Sequence, residues 1–425
     1  MSDCPQRSPW RSLTGYQWLV LLVAWLGWVF DSMDATIYAL VMTPALREIL
    51  GAEATPDKIG WYGGVIFSIF IVGWAVGGIT FGIAADYLGR ARTLVITILI
   101  YAVFTAMAGF SHTWWELALY RFLTALGIGG EWAAGATLLA EVWPESLRVK
   151  GAGLLQSAWA AGYFLAAALY LGLADYSWRV MFFVGLVPAL VALLARLKVR
   201  EPERWVEVRR RADWRVQRAS KLGVLFAPAT RRDTLVGTAL AFVAVFGLWG
   251  ATNWTPTLIR ELLEPRGLAE AATARLVSYA TMSLNAGAFV GYLVFAPLAE
   301  WLGRRGAFLV MLAGSAAALP ATFLFPSSYS VALLLLPVLG FFSNGIFSGF
   351  PIYLPELFPT RIRATGAGFC FNAGRVLAAV GPFLTGTLVA QFGSFALAAS
   401  SMAAIYLLGI VVLSQARETR NEALR

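Results

Sequence analysis

The sequence has little of the chemistry that forms disulfides, metal sites or histidine proton relays. It contains two cysteines and one histidine in 425 residues. Cys4 and Cys370 lie far apart, and the chain has no Cys-x-x-Cys or Cys/His cluster, so neither a disulfide framework nor a metal site is expected. His112 falls in a loop between apolar runs. Any proton pathway therefore has to be built from carboxylates, and no cofactor other than a proton gradient is expected.

Charge is equally scarce. Charged residues make up 13% of the chain and hydrophobic residues 59%, which is too few charges for a soluble domain. Apolar runs of about 20 residues, long enough to cross a bilayer core, recur along the chain. The absence of a nucleotide loop, a catalytic triad or a metal signature argues against an ATP-driven pump or a membrane enzyme. The runs predict an all-α integral membrane protein with about twelve spans, near 16–46, 59–85, 92–111, 116–141, 150–173, 178–196, 234–258, 275–299, 306–324, 330–355, 365–390 and 393–415.

The net charge of +9 is a topology signal. Lysine and arginine cluster in alternate loops, an asymmetry that predicts a plasma membrane protein (the inner membrane of a bacterium) with both termini in the cytoplasm. These residues are scattered among short membrane loops, which argues against a nucleic-acid surface. The expected partners are the lipid bilayer, protons and a small solute, and we expect a functional monomer.

The chain repeats itself. A polar, basic segment at 197–233 separates a bundle predicted at 1–196 from another predicted at 234–425. AADYLGRAR at 84–92 matches PLAEWLGRRG in the second half, and EVWPESLRVKGAG at 141–153 matches ELFPTRIRATGAG at 356–368. Matching offsets at separate places predict two pseudo-symmetric six-helix bundles. Transporters are commonly built from such repeats, with the substrate site near the membrane midplane.

Charges present in both halves are interpreted as a cytoplasmic gate. In the first half, Asp86, Arg90 and Arg92 are predicted to pair with Glu141 and Arg148. The alternative is static loop packing combined with topology charge. The second half repeats the set, with Glu300, Arg304 and Arg305 predicted to pair with Glu356 and Arg363, and the repeated glycines of the loop motif complete the list of gate residues: Gly82, Gly89 and Gly303.

Charges present in only one half need another explanation. Asp31 and Asp34 lie mid-span in WVFDSMDATIY, one helical turn apart. Ionisable groups in a membrane are costly and face a cavity or a partner. Either the acids exchange a proton, or Asp34 forms a permanent ion pair with Arg121, its natural partner. Glu131 has no obvious partner in sequence and is either a second proton site or a hydrogen-bonded helix clamp.

Arg375 is predicted to lie near the membrane midplane. Its planar paired donors match a carboxylate, so we interpret it as the anchor for a substrate carboxylate. The alternative is that it pairs with Glu131 or Asp31. Other residues predicted to line the substrate cavity carry amides or aromatic rings: Asn372, Gln156, Asn253, Trp28 and Tyr38.

Several motifs resemble the major facilitator superfamily. GIAADYLGRAR at 82–92 is similar to its loop signature, and RFLTALGIGGEW at 121–132 to its fourth-helix motif. AWLGWVFDSMDATIYALVMTPAL and FNAGRVLAAVGP resemble the sialate and aromatic-acid proton symporters, with Ser32 at a position where that group usually has glycine. The resemblance implies alternating access and proton-coupled uptake of a sialate-, lactate- or aromatic-acid-like anion.

Two other transport functions stay open at this stage. A sugar or polyol porter would favour amides and aromatic rings over a buried arginine. An amine or drug/proton antiporter would use its membrane acids to bind the cation itself.

Overall fold

The regular secondary structure of the described residues is helical. The computed structural model describes residues 9–173, 176–187, 198–210, 221–251, 255–378, 388 and 391–424. The α-helices within these ranges are α1 (Gly15–Leu50), α2 (Pro56–Leu88), α3 (Arg90–Ala108), α4 (Trp114–Val142), α5 (Arg148–Leu173), α6 (Trp178–Val184), α7 (Glu203–Arg210), α8 (Lys221–Leu225), α9 (Arg231–Ala251), α10 (Thr255–Leu263), α11 (Glu270–Trp301), α12 (Gly303–Leu324), α13 (Tyr329–Gly345), α14 (Phe350–Leu357), α15 (Arg363–Ala378), α16 (Phe395–Ser401) and α17 (Ala404–Ser414).

Short 3₁₀ turns join or extend some of these helices. They lie at Pro9–Ser12, Gly51–Glu53, Glu264–Arg266, Ile346–Gly349 and Thr360–Ile362. One such turn links α13 to α14, so the run predicted as a single span at 330–355 is helical with a tighter turn in its middle.

Nine helical segments in the described part of the chain are long and apolar enough to cross a membrane. Each of the other three predicted spans, at 178–196, 234–258 and 365–390, contains residues outside the described set. The fold class is therefore that of an all-α integral membrane protein, as the apolar runs predict.

Polar residues next to the apolar runs fix where two of the long helices begin. Thr14 precedes α1 and accepts a hydrogen bond from the Gln17 backbone, while the Gln17 side chain accepts one from the Thr14 backbone at 2.9 Å. Thr113 and Glu116 form the same reciprocal pair at the start of α4. Such a box satisfies donors that the first helical turn leaves without partners, so each helix starts at a defined residue.

The chain divides into two compact units. The first contains Met1–Arg218 together with the short segment Pro359–Ala364 and the last three residues. The second contains Ala219–Phe358 and Thr365–Glu422. The boundary between 218 and 219 falls inside the segment predicted as a linker.

Glycine contacts in each unit repeat the sequence offset. In the first unit, a Cβ at Gly77 of α2 would lie 2.1 Å from the Leu126 carbonyl oxygen of α4. In the second unit, a Cβ at Gly291 of α11 would lie 2.2 Å from the Phe341 carbonyl oxygen of α13. Only glycine permits this backbone approach, as is common between membrane helices. The duplication seen in sequence is therefore also a duplication of helix packing.

Candidate functional site

Asp34 lies in the predicted ion pair with Arg121. It is buried in α1, and its Oδ2 accepts a hydrogen bond from Arg121 Nη1 of α4 at 2.8 Å. Its Oδ1 accepts a second bond, from Thr105 Oγ1 of α3 at 2.8 Å. Both oxygens thus have donors, which compensates the loss of water around a buried carboxylate.

Aromatic rings surround the Arg121 guanidinium. Its central carbon lies 5.0 Å from the ring centre of Tyr38, 4.5 Å from that of Phe70 and 5.8 Å from that of Phe182. Ring faces attract a cation, so these contacts add to the ion pair in holding the charge inside the unit. Tyr38, predicted to line a substrate cavity, lies against Arg121, and its hydroxyl donates to the Gly63 carbonyl oxygen at 3.3 Å.

Glu131 fits against the backbone of α1 at Gly27. Its Oε1 lies 1.5 Å from the point that a Cβ at residue 27 would occupy. Gly27 precedes Asp31 by one helical turn, and the carboxyl groups of Asp31 and Glu131 interact. The sequence offered no partner for Glu131; the structure supplies one across the interface between α1 and α4.

Two residues of α3 reach the same acids and were not predicted. Thr105 binds Asp34, and Tyr101 lies one turn earlier on the same face. The Tyr101 hydroxyl is buried, within electrostatic reach of Glu131, Asp31 and Asp34. Polar side chains four residues apart in an apolar helix are the signal that would have identified them.

Four tryptophans of the first unit pack against one another. The ring centre of Trp28 lies 5.2 Å from that of Trp159 and 6.5 Å from that of Trp132, and Trp159 stacks on Trp74 at 6.0 Å. Ser32, which stands where the resemblance suggests glycine, donates to the Trp159 carbonyl oxygen at 2.6 Å and so ties α1 to α5. Gln156, a predicted cavity residue, is buried on α5.

In the second unit, Arg375 is buried on α15 beside Asn372. Arg375 Nη1 donates to Asn372 Oδ1 at 3.0 Å, and its guanidinium carbon lies 4.8 Å from the Phe371 ring centre. The amide of Asn372 donates in turn to the Gly368 carbonyl oxygen at 2.8 Å. The two predicted substrate residues therefore form one polar group on one helix face, whereas Asn253 lies outside the described residues.

Arg90 is the centre of a buried charge cluster in the first unit, here called the Arg90 cluster. Its Nη2 lies 3.0 Å from Asp86, and its Nε and Nη2 donate to Glu141 at 3.0 and 3.1 Å. Arg363, in the segment that belongs to this unit, donates to Glu141 at 2.6 Å. Arg90 Nη2 also donates to the Thr360 carbonyl oxygen at 2.6 Å.

These contacts correct part of the predicted gate. Arg363 was expected to pair with the charged loop residues of the second half, Glu300 among them; it donates to Glu141 at 2.6 Å, within the first unit. Arg148, expected to pair with the charged loop residues of the first half, Asp86 among them, lies 3.4 Å from Glu145. Burial raises the pKa of Glu145, but hydrogen bonds from Arg204 and Arg148 lower it more, so its pKa lies below the usual value.

The Arg304 cluster in the second unit repeats the arrangement. Arg304 Nη2 and Nε donate to the two oxygens of Glu356 at 2.7 and 3.0 Å. Glu300 lies on the last turn of α11, four residues before Arg304. Arg305, expected to pair with Glu356, has an exposed side chain, and its backbone N–H donates to Glu418 at 3.0 Å.

A glutamate that the sequence reasoning missed closes each cluster. Glu201 accepts from the backbone N–H groups of Ala91 and Arg92 at 3.2 and 3.0 Å, so the predicted gate residue Arg92 takes part through its backbone. Glu418 does the same at Arg304 and Arg305. A carboxylate is stabilised at a helix N-terminus by free N–H groups and the helix dipole. The repeated Arg-Glu pairs at 200–201 and 417–418 are the signal for these caps.

Glycine is required at the start of both capped helices. Gly89 and Gly303 have φ values of 114° and 83°, a region that side chains disfavour. A Cβ at Gly89 would also lie 2.3 Å from Glu201, and one at Gly303 2.6 Å from Glu418. Gly82, the third predicted gate glycine, is buried within α2.

Comparisons with known proteins agree with this architecture. The family model for "Sugar (and other) transporter" matches residues 25–221. The cis,cis-muconate transport protein of Acinetobacter baylyi is 31% identical over 91% of this chain and 91% of its own length. The sialic acid transporter of Escherichia coli is 30% identical over 88% of this chain and 87% of its own. A solved structure of a major facilitator superfamily proton:xylose symporter superposes with a TM-score of 0.77 at 17% identity, covering 96% of this chain and 98% of the other.

The family model and the relatives at 30% identity or more are those of transporters, so the chain is a membrane transporter and not an enzyme. The relatives place it more narrowly: the chain belongs to the major facilitator superfamily. The predicted fold class and family are thereby confirmed.

Proposed function

We propose that the protein lies in the plasma membrane with both termini in the cytoplasm, and that it takes up an organic carboxylate together with protons by alternating access. The relatives named for sialic acid and cis,cis-muconate transport carry small organic acids, which supports a substrate of this class. The Arg90 and Arg304 clusters then serve as cytoplasmic gate elements that break and re-form during the cycle.

The observation that supports a carboxylate substrate is the buried guanidinium of Arg375. The guanidinium is only 5% exposed, and burying such a charge costs free energy unless an anion pairs with it. Asn372 and Phe371 hold the guanidinium in place, and its planar paired donors match the geometry of a carboxylate. A neutral sugar does not need this charge.

The acids of the first unit carry the proton-coupling part of the proposal. Asp31, Asp34 and Glu131 are buried in α1 and α4 with Arg121 among them. Protonation of a buried carboxyl changes its interaction with neighbouring charges, so proton binding is able to bias the arrangement of these helices.

Uptake into proteoliposomes tests the proposal. Labelled lactate, a sialic acid, an aromatic acid and a hexose are supplied with and without an inward proton gradient, to wild type, Arg375→Ala and Arg375→Lys. We expect one acid to accumulate only with the gradient, and Arg375→Ala to abolish this accumulation. Arg375→Lys keeps the charge but not the planar donors, and should retain weak uptake. Gradient-independent hexose uptake that survives in Arg375→Ala would refute the proposal.

A further inference from the structure

Two buried carboxyl groups face each other between α1 and α4. Asp31 and Glu131 interact, and they are 0% and 2% exposed. Among the described residues, no hydrogen-bond donor reaches either oxygen of Glu131. Two ionised carboxylates only accept hydrogen bonds, so this contact becomes a hydrogen bond only when one of the two groups carries a proton.

Because Gly27 has no side chain, it leaves a space on α1 for the Glu131 carboxyl group, and this space is called the seat below. The Glu131 Oε1 lies 1.5 Å from the position of a Cβ at residue 27. Any residue with a side chain there would occupy the space of the carboxyl group. Because residues 27 and 31 share a helix face, the same acid meets both.

The groups around the pair come from three helices. Asp34 on α1 is engaged by Arg121 of α4 and by Thr105 of α3, each at 2.8 Å. Tyr101 on α3 is within electrostatic reach of all three acids, and its hydroxyl has no hydrogen-bond partner in the described part of the chain. The Tyr101 hydroxyl is therefore a buried donor close to the three acids.

We propose that Asp31 and Glu131 share a proton on the seat formed by Gly27, and that this pair is the site of the transported proton, while Asp34 stays ionised against Arg121. Two like charges at this depth repel, so the pair retains a proton, whereas the charge of Asp34 is balanced by a guanidinium. In the transport step a proton passes from water to a carboxylate oxygen of the pair and leaves to water on the other side; only O–H bonds form and break. The role in transport rests on the proposed function, but the shared proton does not.

Infrared spectroscopy of the protein in lipid tests the shared proton without transport. The C=O stretch of protonated carboxyl groups is followed as pH is raised, in wild type, Asp31→Asn, Glu131→Gln and the double variant D34N/R121M, which removes one charge of each sign. We expect the titration midpoint of this band to move in both single variants and to stay in the double variant. A midpoint that either single variant leaves unchanged, or that the double variant moves, overturns the assignment.

Substitution at the seat tests its role in transport. Gly27→Ala should lose gradient-driven uptake, and the shorter acid in G27A/E131D should restore part of it. Gly135→Ala is the matched control on α4, since its Cβ would meet its nearest neighbour at an ordinary 3.5 Å. Uptake that survives in Gly27→Ala, or that the double variant does not restore, overturns the role of the seat. If neither wild type nor any variant shows proton-driven uptake, but the infrared midpoint shifts as expected, the proposed function is refuted and the shared proton is supported.

Discussion

Replacing Asp34 by asparagine would leave Arg121 without its counter-charge inside the first unit. The guanidinium is 0% exposed, and its Nε and Nη2 have no hydrogen-bond partner in the described residues. Removing one partner of such a pair costs about 3–5 kcal/mol of stability, because the other charge stays buried. The three ring contacts of Arg121 are made in wild type and variant alike, so they do not offset the lost negative charge.

Removing both charges should cost far less than removing either one. Replacing both charges of a buried ion pair is often close to neutral, and asparagine at position 34 keeps an oxygen that accepts from Thr105, so we expect D34N/R121M to lie within about 1–2 kcal/mol of wild type. Arg121→Met alone, which strands the Asp34 carboxylate, should again cost about 3–5 kcal/mol. Because the double variant should cost much less than the sum of the two single variants, we expect a large coupling free energy between these positions.

Unfolding in mixed micelles with increasing dodecyl sulfate measures these free energies. The 17 tryptophans give a fluorescence signal, and none is replaced in the cycle. Arg121→Lys serves as a control that keeps the charge and loses the planar fork. If the double variant is destabilised by the sum of the two single effects, the pair is not coupled and the account of its burial is wrong.

Two further predictions concern helix packing and helix capping. Gly77→Ala should lower the free energy of unfolding by about 1–3 kcal/mol, since its Cβ would meet the rigid Leu126 backbone at 2.1 Å. The control Gly64→Ala on the same helix meets nothing within 4 Å and should be neutral. Equal effects in the two variants would contradict the packing. Glu201→Gln should cost about 1 kcal/mol by weakening the cap on α3, whereas Glu207→Gln, exposed in the interior of α7, should cost nothing measurable. A stability unchanged in Glu201→Gln would argue against the cap.

Local sequence signals determined the parts of the fold that depend on composition and spacing. Apolar runs of sufficient length must be helical in a bilayer, since the helix satisfies every backbone group internally. Equal offsets between the halves predicted the duplication that recurs in the packing of Gly77 and Gly291. The pair of Asp34 and Arg121 was also predictable, because two opposite charges at similar depth in a membrane have few other partners.

Partners across helix interfaces could not be deduced in this way. The contact of Glu131 with Gly27 depends on how α1 and α4 are rotated against each other, and Arg363 binds Glu141 because a short segment far along the chain joins the first unit. A membrane helix is apolar on nearly all sides, so its sequence has no polar stripe that fixes which face turns inward. The sequence by itself determined which segments are helices, how often they recur and which charges lie at membrane depth; only the tertiary structure decided which of those charges meet, because helix rotation is set by packing between segments distant in sequence.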